Sequence, residues 1–166
     1  MASIDAAAPL GTDRALTPAE AALVTSVFGD TVDTTRTSVR HRKFWLFHPW
    51  WVTMAPDGHI WCHPNGFDWY ADFAAEPLGM RAHFIHEMTH VWQCQAGRNL
   101  IIARPPLARY RYALAPGKSF GRYGIEQQAC IVADAYRLRE RGDRAGLANY
   151  AAILPFGDWG LSLDTA

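Results

Sequence analysis

The residues His86-Glu87-Met88-Thr89-His90 form an H-E-x-x-H pattern inside a stretch that predicts a helix. On an α-helix, residues four apart lie about 40° apart around the axis and about 6 Å apart along it. His86 and His90 therefore point the same way, and their imidazoles are spaced to bind one metal ion. Glu87 lies about 100° from His86, which suits a carboxylate that takes a proton from attacking water better than it suits a third ligand. Zinc is the ion that such a pair usually binds.

The residues around this motif divide the predicted helix into two faces. The apolar face carries Phe84, Ile85, Met88, Val91 and Trp92. The other face carries three histidines, an acid and a thiol, which are His83, His86, His90, Glu87 and Cys94. No lysine or arginine follows on this face before Arg98. Because a solvated face normally carries lysine and glutamate, we expect this one to line a site. His83 and Cys94 are rival ligands on it, and the alternative for each is a packed neutral group.

A catalytic zinc needs three protein ligands and one open position, so the third ligand must come from elsewhere. The best candidate is Glu126, at the start of a second predicted helix. Ala129 and Ala133 share its side of that helix and would let the two helices approach closely. The alternative for Glu126 is an acid favoured by the helix dipole in the first turn. Asp134 lies about 80° off that face and is either an outer partner of a ligating histidine or a solvated acid.

These residues resemble the zincin metallopeptidases, and within them the gluzincin pattern of H-E-x-x-H followed by a glutamate on a later helix. The longer strings 86–93 and 126–129 resemble small bacterial zincin-like proteins, often labelled Vgr-related and associated with Rhs or type VI secretion genes. The resemblance covers about residues 77–139. It implies that His86, His90 and Glu126 are ligands and that Glu87 is the general base. The spacer between the two helices is shorter than in the better-known gluzincin enzymes, and we expect no second large domain within these 166 residues.

Length and composition predict one folded domain, with a flexible N-terminus at 1–16 and the zincin-like domain at 17–166. Hydrophobic residues make up 49% of the 166 residues and aromatic residues 13%, which excludes a disordered chain. Sixteen basic residues balance sixteen acidic ones. This balance argues against a nucleic-acid partner or an anionic membrane, which usually require a basic footprint.

The three cysteines, Cys62, Cys94 and Cys130, are widely spaced and predict reduced thiols, as in a cytoplasmic protein. The N-terminal residues have neither a basic start nor a long apolar run, so we expect no Sec signal peptide. Export would therefore follow a route that requires no cleaved signal.

Local signals predict an α+β domain with a small antiparallel sheet packed on the H-E-x-x-H helix. A capping box at 17–20 should begin a helix that runs to Phe28. The other predicted helices start at 77 or 78 and end at Gly97, run from 124 to 141, and span 143–152, with a break at Pro105-Pro106. Strands are expected at 36–46, 50–55 and 59–63, with a turn at 56–58, and a short strand or loop at 109–114.

The segment Gly58 to His63 has a functional interpretation. In zincins an antiparallel edge strand beside the site binds the substrate backbone by strand addition, and the resemblance makes this segment the candidate. The alternative is a half-buried strand whose histidines lie at its rim. A second metal at His59, Cys62 and His63 is disfavoured, because a strand places Cys62 on the opposite face from the histidines.

The sequence therefore predicts a small zinc-dependent peptidase acting on a peptide or protein substrate. Its oxyanion donor would be a tyrosine among Tyr110, Tyr112 and Tyr123, with Tyr123 taken as the candidate. The main rival hypothesis is a non-catalytic accessory or adaptor protein of a bacterial secretion system, with a secretion-system protein as its partner. A third hypothesis is a closed structural site completed by Cys94 or His83.

Overall fold

Five α-helices and three short strands form the described part of the chain, which in this computed structural model comprises residues 12–103, 109–157 and 159–160. The helices are α1 (Pro18–Phe28), α2 (Leu78–Gln95), α3 (Leu100–Ala103), α4 (Ile125–Glu140) and α5 (Arg144–Ala151). The strands are β1 (Asp13–Ala15), β2 (Ser38–Arg40) and β3 (Ile60–Trp61). The predicted α+β class is confirmed. Within the described ranges, no helix is both long and apolar enough to cross a membrane.

The predicted capping box begins helix α1. The hydroxyl of Thr17 accepts a hydrogen bond from the Glu20 amide, and the Glu20 carboxylate accepts one from the Thr17 amide. Glu20 is fully buried, and its carboxylate also binds the guanidinium of Arg14 through two contacts of 2.7 Å and the amide of Phe73. Every acceptor oxygen of this buried charge is therefore occupied, which is the condition for burying it.

Helices α2 and α4 form the most extensive contact between elements and build the centre of the domain. Glycines with positive φ end both helices, Gly97 at 86° and Gly142 at 72°, as the sequence predicted. The core lies on the apolar face of α2 and on its neighbours. Its largest fully buried side chains include Phe28, Phe73, Phe84, Ile85, Met88, Ile131 and Tyr136.

The sheet is mixed rather than antiparallel as predicted. β1 pairs with β2 in antiparallel fashion, but β2 pairs with β3 in parallel, with Val39 opposite Ile60. Parallel pairing requires the chain to return to the end of the sheet at which β2 starts. The long connection between β2 and β3 makes that return before β3 begins. β3 contacts helix α2 and so places the sheet beside the helix pair.

All three predicted strands are wrong in extent, and the one at 59–63 is reduced to Ile60–Trp61. Of residues 36–46 only Ser38–Arg40 form a strand, and residues 50–55 form none, although Met54 makes one antiparallel bridge to Trp61. The intervening residues form turns in which the imidazole of His48 binds the backbone of Phe44 and Val52. These local hydrogen bonds satisfy the backbone without a neighbouring strand.

The N-terminal prediction needs a partial correction. Asp13–Ala15, assigned to the flexible segment, form β1, which the ion pair between Arg14 and Glu20 ties to helix α1. Residues 1–11, residues 161–166 and the predicted break at Pro105-Pro106 lie outside the described residues. Residues 109–114 form no regular strand.

Candidate metal centre

Three of the predicted ligands come together between α2 and α4. His86 and His90 lie one turn apart on α2, and Glu126 is the second residue of α4. Oε2 of Glu126 lies 3.4 Å from Nε2 of His86 and 3.2 Å from Nε2 of His90. The three ligand atoms lie within 4.8 Å of one another, and no other group of this kind occurs among the described residues.

These spacings fit a zinc ion. Two ligands that each lie about 2.0–2.1 Å from a tetrahedral zinc are roughly 3.3 Å apart. The two measured distances, 3.4 Å and 3.2 Å, are close to that value. Two neutral imidazoles and one carboxylate are also a ligand set that zinc accepts at a catalytic site. The donor set therefore suits the ion that the motif predicts.

The orientation of His90 is set by a buried pair of amides. Nδ1 of His90 donates to Oε1 of Gln93 at 2.9 Å. The amide nitrogen of Gln93 donates in turn to the carbonyl of Ile125 and to Oε1 of Gln128, both at 3.0 Å. Gln128 then donates to the carbonyl of Tyr123. Because Nδ1 keeps the proton, Nε2 is the nitrogen directed at Glu126 and available to a metal.

Glu87 is buried, with 4% of its surface exposed, and lies beside the triad. Its Oε2 atom is buried and has no hydrogen-bond partner within the described ranges. An unpaired carboxylate oxygen in a protein interior carries a large desolvation cost unless it has a task or a missing partner. The geometry thus keeps Glu87 next to the ligands without making it one.

The triad lies at the base of a pocket of about 380 Å³. One wall is the segment 51–56, which runs from Trp51 to Pro56. Tyr110 also lines the pocket, and its ring is nearly parallel to that of His86 with the ring centres 6.5 Å apart. The pocket is large enough for a substrate side chain and open to solvent beside Trp51 and Tyr110.

The rival ligands do not join the triad. Cys94 lies against Gly58, away from the pocket. His83 lines the pocket and its Nε2 is buried without a hydrogen-bond partner among the described residues, but it is not one of the three clustered groups. Cys130 is nearer, with Sγ 4.0 Å from Nδ1 of His86, the nitrogen that faces away from Glu126. Burial, aided by nearby carboxylates, raises the pKa of its thiol to about 11, so it is protonated near neutral pH.

Asp134 lies at the edge of the pocket but touches neither histidine ligand. Its carboxylate accepts a hydrogen bond from the hydroxyl of Tyr112 at 2.6 Å and pairs with Arg137 at 2.7 Å. Asp134 therefore shapes the rim of the pocket, and these contacts give it no role in orienting a ligand.

The structure does not bring Tyr123, the sequence-based candidate for the oxyanion donor, to the metal centre. Tyr123 is buried, and its hydroxyl donates to the carbonyl of Ala113 and accepts from the amide of Ala115. Tyr112 is held by Asp134. Of the three tyrosines, Tyr110 alone lines the pocket, so Tyr110 and not Tyr123 is the one placed to reach a substrate there.

The segment Gly58 to His63 also lies elsewhere. None of its residues lines the metal pocket. The ring of His59 binds Ser38, and Nδ1 of His63 accepts from the amide of Asn65, so the histidines have structural contacts. Burial raises the pKa of the Cys62 thiol to about 12, and these three residues form no metal cluster among the described residues.

Sequence reasoning missed the residues that hold the ligands in place. Gln93 and Gln128 are both fully buried, and neither received a role. The sequence does contain one indication of the role of Gln93. It lies three residues after His90 and therefore on the same side of α2. Cys130 was noted only as a free thiol, because nothing local indicates that α4 brings it to His86.

The fold and the site define a small α+β domain built around an H-E-x-x-H helix and a facing glutamate. No family model matches the sequence. The chain is 37% identical over 150 residues, 85% of its length, to the type VI secretion system spike protein VgrG2b of Pseudomonas aeruginosa, and spans about 15% of that protein. Its structure is similar to the effector domain of Pseudomonas aeruginosa VgrG2b, with a TM-score of 0.70 and 32% identity, over 90% of this chain and 86% of that one. The chain belongs to the family of this effector domain.

The first prediction is that zinc binding depends on His90 and Glu126. His90→Ala and Glu126→Ala should each lower zinc affinity by more than about 100-fold, because losing even an outer partner of a ligand costs 10–100-fold. Zinc content after dialysis and competition with a chelator would measure the effect.

Asp134→Ala is the matched control, since Asp134 lines the pocket without belonging to the triad and contacts Tyr112 and Arg137 instead. This variant should keep wild-type zinc affinity. Full zinc binding by Glu126→Ala together with loss in Asp134→Ala would show that the third ligand is misassigned.

The second prediction concerns pH. Burial alone lowers the pKa of His90, but the hydrogen bond to Glu126 and the charges of Glu87 and Glu126 outweigh it, so the pKa is raised above its ordinary 6.5. In the metal-free protein, protonated His90 therefore stabilises the fold, and this stabilisation is fully present below about pH 6.5. It is lost as pH rises through the raised pKa of His90. Because zinc must displace that proton, its affinity should fall as pH drops below the raised pKa of His90.

Chelator competition between about pH 5 and pH 8 would measure this dependence. His90→Ala, examined at zinc concentrations that still load it, should show a shallower slope than wild type. A flat affinity for the wild-type protein over this range would contradict ligation by His90.

Proposed function

We propose that this chain is a zinc-dependent peptidase of the type VI secretion system. The observation that carries the proposal is the combination of a His86–His90–Glu126 triad with Glu87 beside it, whose buried Oε2 has no hydrogen-bond partner among the described residues. A purely structural metal site needs its ligands but has no use for an adjacent unpaired carboxylate. A hydrolase does need one, as the group that accepts a proton.

His86, His90 and Glu126 would hold the zinc ion. When bound, zinc supplies Lewis acidity that polarises a peptide carbonyl and makes water a better nucleophile. Gln93 keeps His90 in the tautomer that presents Nε2, as the hydrogen bond to its Oε1 shows. The packing of α2 against α4 fixes Glu126 opposite the two histidines, so the protein's groups are arranged before a substrate arrives.

Glu87 would act as the general base. Its buried Oε2 takes the proton from the attacking water and then delivers it to the leaving amine. On the pocket wall, the hydroxyl of Tyr110 is the candidate donor to the developing negative charge on the substrate oxygen.

The substrate backbone would lie along the segment 53–55. Met54 exchanges hydrogen bonds of 3.2 Å and 2.8 Å with Trp61 on one side. In an extended segment the neighbouring residues, Thr53 and Ala55, direct their backbone groups to the opposite side. Because this segment lines the metal pocket, an extended peptide could pair with it and present its scissile bond to the triad. This segment replaces the predicted Gly58 to His63.

The relatives also support a second function, that of an accessory module. The curated relative is a spike protein of a type VI secretion system, so a spike component is a candidate partner for this chain too. A domain attached to such a machine would leave the cell without a cleaved signal. Retention of Glu87 beside the ligands favours the peptidase, since an adaptor does not need it.

The third prediction separates these two functions. Glu87→Gln should keep the fold and most of the zinc but lose peptide hydrolysis by two or more orders of magnitude, as expected for a lost general base. A broad peptide library, incubated with wild type, Glu87→Gln and metal-free protein side by side, would measure the difference.

Glu140→Gln is the matched control, because it makes the same chemical change at an exposed position on α4. It should hydrolyse peptides like wild type. If wild type cleaves no peptide that Glu87→Gln leaves intact, the two proteins have the same activity and Glu87 is not a general base. If both also bind the same secretion-system protein, the accessory function replaces the peptidase. Loss of zinc from Glu87→Gln would contradict the geometry of the site itself.

A further inference from the structure

The connection between β2 and β3 and the loop that follows β3 together present an unusual amount of apolar surface. Six side chains there are 47–84% exposed, and we refer to them together as the aromatic patch: Trp45, Leu46, Phe47, Trp50, Trp51 and Phe67. Taking about 200 Å² for each fully exposed side chain, they offer roughly 800 Å² to solvent. This exceeds the largest apolar patch of a typical monomer, about 300–600 Å², and indicates an interaction site.

The patch is formed by two connected loops. The ring of Trp50 contacts those of Trp51 and Phe67, at centroid distances of 5.5 and 5.8 Å. A side chain on Gly66 would lie 2.6 Å from the carbonyl oxygen of Trp50, so only glycine allows the loops to approach this closely. Trp50, Trp51 and Phe67 therefore form one packed group, and Trp45, Leu46 and Phe47 precede it on the first loop.

Hydrogen bonds from the buried His48 hold the loop beneath the patch. Nδ1 of His48 accepts from the amide of Phe44, and its Nε2 donates to the carbonyl of Val52 at 2.6 Å. The amides of His48 and Val52 donate to the carbonyls of Trp45 and Pro49. These contacts fix the turns that expose the apolar side chains.

In the segment that carries five of the six patch residues the charged side chains have one sign, whereas Asp68 follows Phe67 on the second loop and accepts a hydrogen bond from Thr53. Residues 34–56 contain four basic residues and no acid, although the chain as a whole is balanced. Arg40 and Arg42 are partly neutralised by Asp13, but Lys43, which directly precedes the patch, is exposed and has no ion-pair partner among the described residues. This local distribution favours an anionic surface, even though the balanced net charge predicted no membrane partner.

We propose that the aromatic patch anchors this domain on the surface of an anionic phospholipid bilayer. Tryptophan and phenylalanine favour the boundary between headgroups and acyl chains, and a neighbouring cation adds attraction to anionic lipid. None of the six side chains of the patch carries a charge or an amide. A sugar or a polar protein surface would require more hydrogen-bonding groups than the indole N–H groups supply. A bilayer requires none.

Trp51 belongs both to the patch and to the wall of the metal pocket. Bilayer binding would therefore place the mouth of the pocket next to the membrane surface. That orientation rests on the proposed peptidase site. The binding itself is measured without any hydrolysis, so failure of one proposal leaves the other standing.

The test is flotation of the purified, zinc-loaded protein with phosphatidylethanolamine vesicles that contain or lack phosphatidylglycerol. Wild type should float with the anionic vesicles. Trp45→Ser/Phe47→Ser should weaken the apparent affinity at least about tenfold, because two large apolar side chains are lost. Lys43→Ser should weaken it about fivefold on anionic vesicles and leave any binding to neutral vesicles unchanged.

Ile101→Ser is the matched control, since Ile101 is 63% exposed but lies on α3 and outside the patch. It should bind vesicles like wild type. Phe67→Ser, on the second loop, is an independent variant in case the double substitution disturbs the fold. The proposal is overturned if wild type floats with neither vesicle or if the patch variants float as well as wild type. It is also overturned if sedimentation shows that the patch holds two copies together and vesicles do not compete.

Discussion

The separation between α2 and α4 is set by two buried amides, and the metal centre depends on it. Gln93 and Gln128 are fully buried and bind each other, the His90 ring and two backbone carbonyls. A buried amide left without partners costs about 1–3 kcal/mol, so the helices are stable only at the distance that satisfies both. That distance brings Glu126 to within 3.2–3.4 Å of the two imidazoles.

The centre concentrates ionisable groups where water is scarce. Glu87, His90 and Glu126 are each less than a tenth exposed. Because its pKa is raised, His90 retains its proton more readily when no metal is bound. The positive charge of this proton compensates part of the negative charge of the two glutamates. A metal ion would compensate it more completely, and any ligand that binds only the folded state also stabilises that state. The candidate site is therefore a destabilising feature of the metal-free domain that a bound metal would relieve.

Features that depend on local contacts were predictable from the sequence. The Thr17 cap and the Gly97 terminus involve only neighbouring residues, and the histidine pair follows from helical spacing. The strand predictions within 36–55 failed over most of their length, because an aromatic run does not reveal whether another element packs on it. The hydrogen bonds of His48 determine the local structure instead. The choice of Tyr110 among three tyrosines requires tertiary contacts that periodicity does not contain.

The most direct test of the central claim is the X-ray absorption spectrum of the zinc-loaded protein at neutral pH. The account predicts one zinc with nitrogen and oxygen neighbours only, at about 2.0–2.1 Å, including the multiple scattering of two imidazoles. His86→Ala should reduce the imidazole signal if metal remains bound. A sulfur neighbour at about 2.3 Å would show that a cysteine such as Cys130 ligates the ion, and would contradict the His86–His90–Glu126 site.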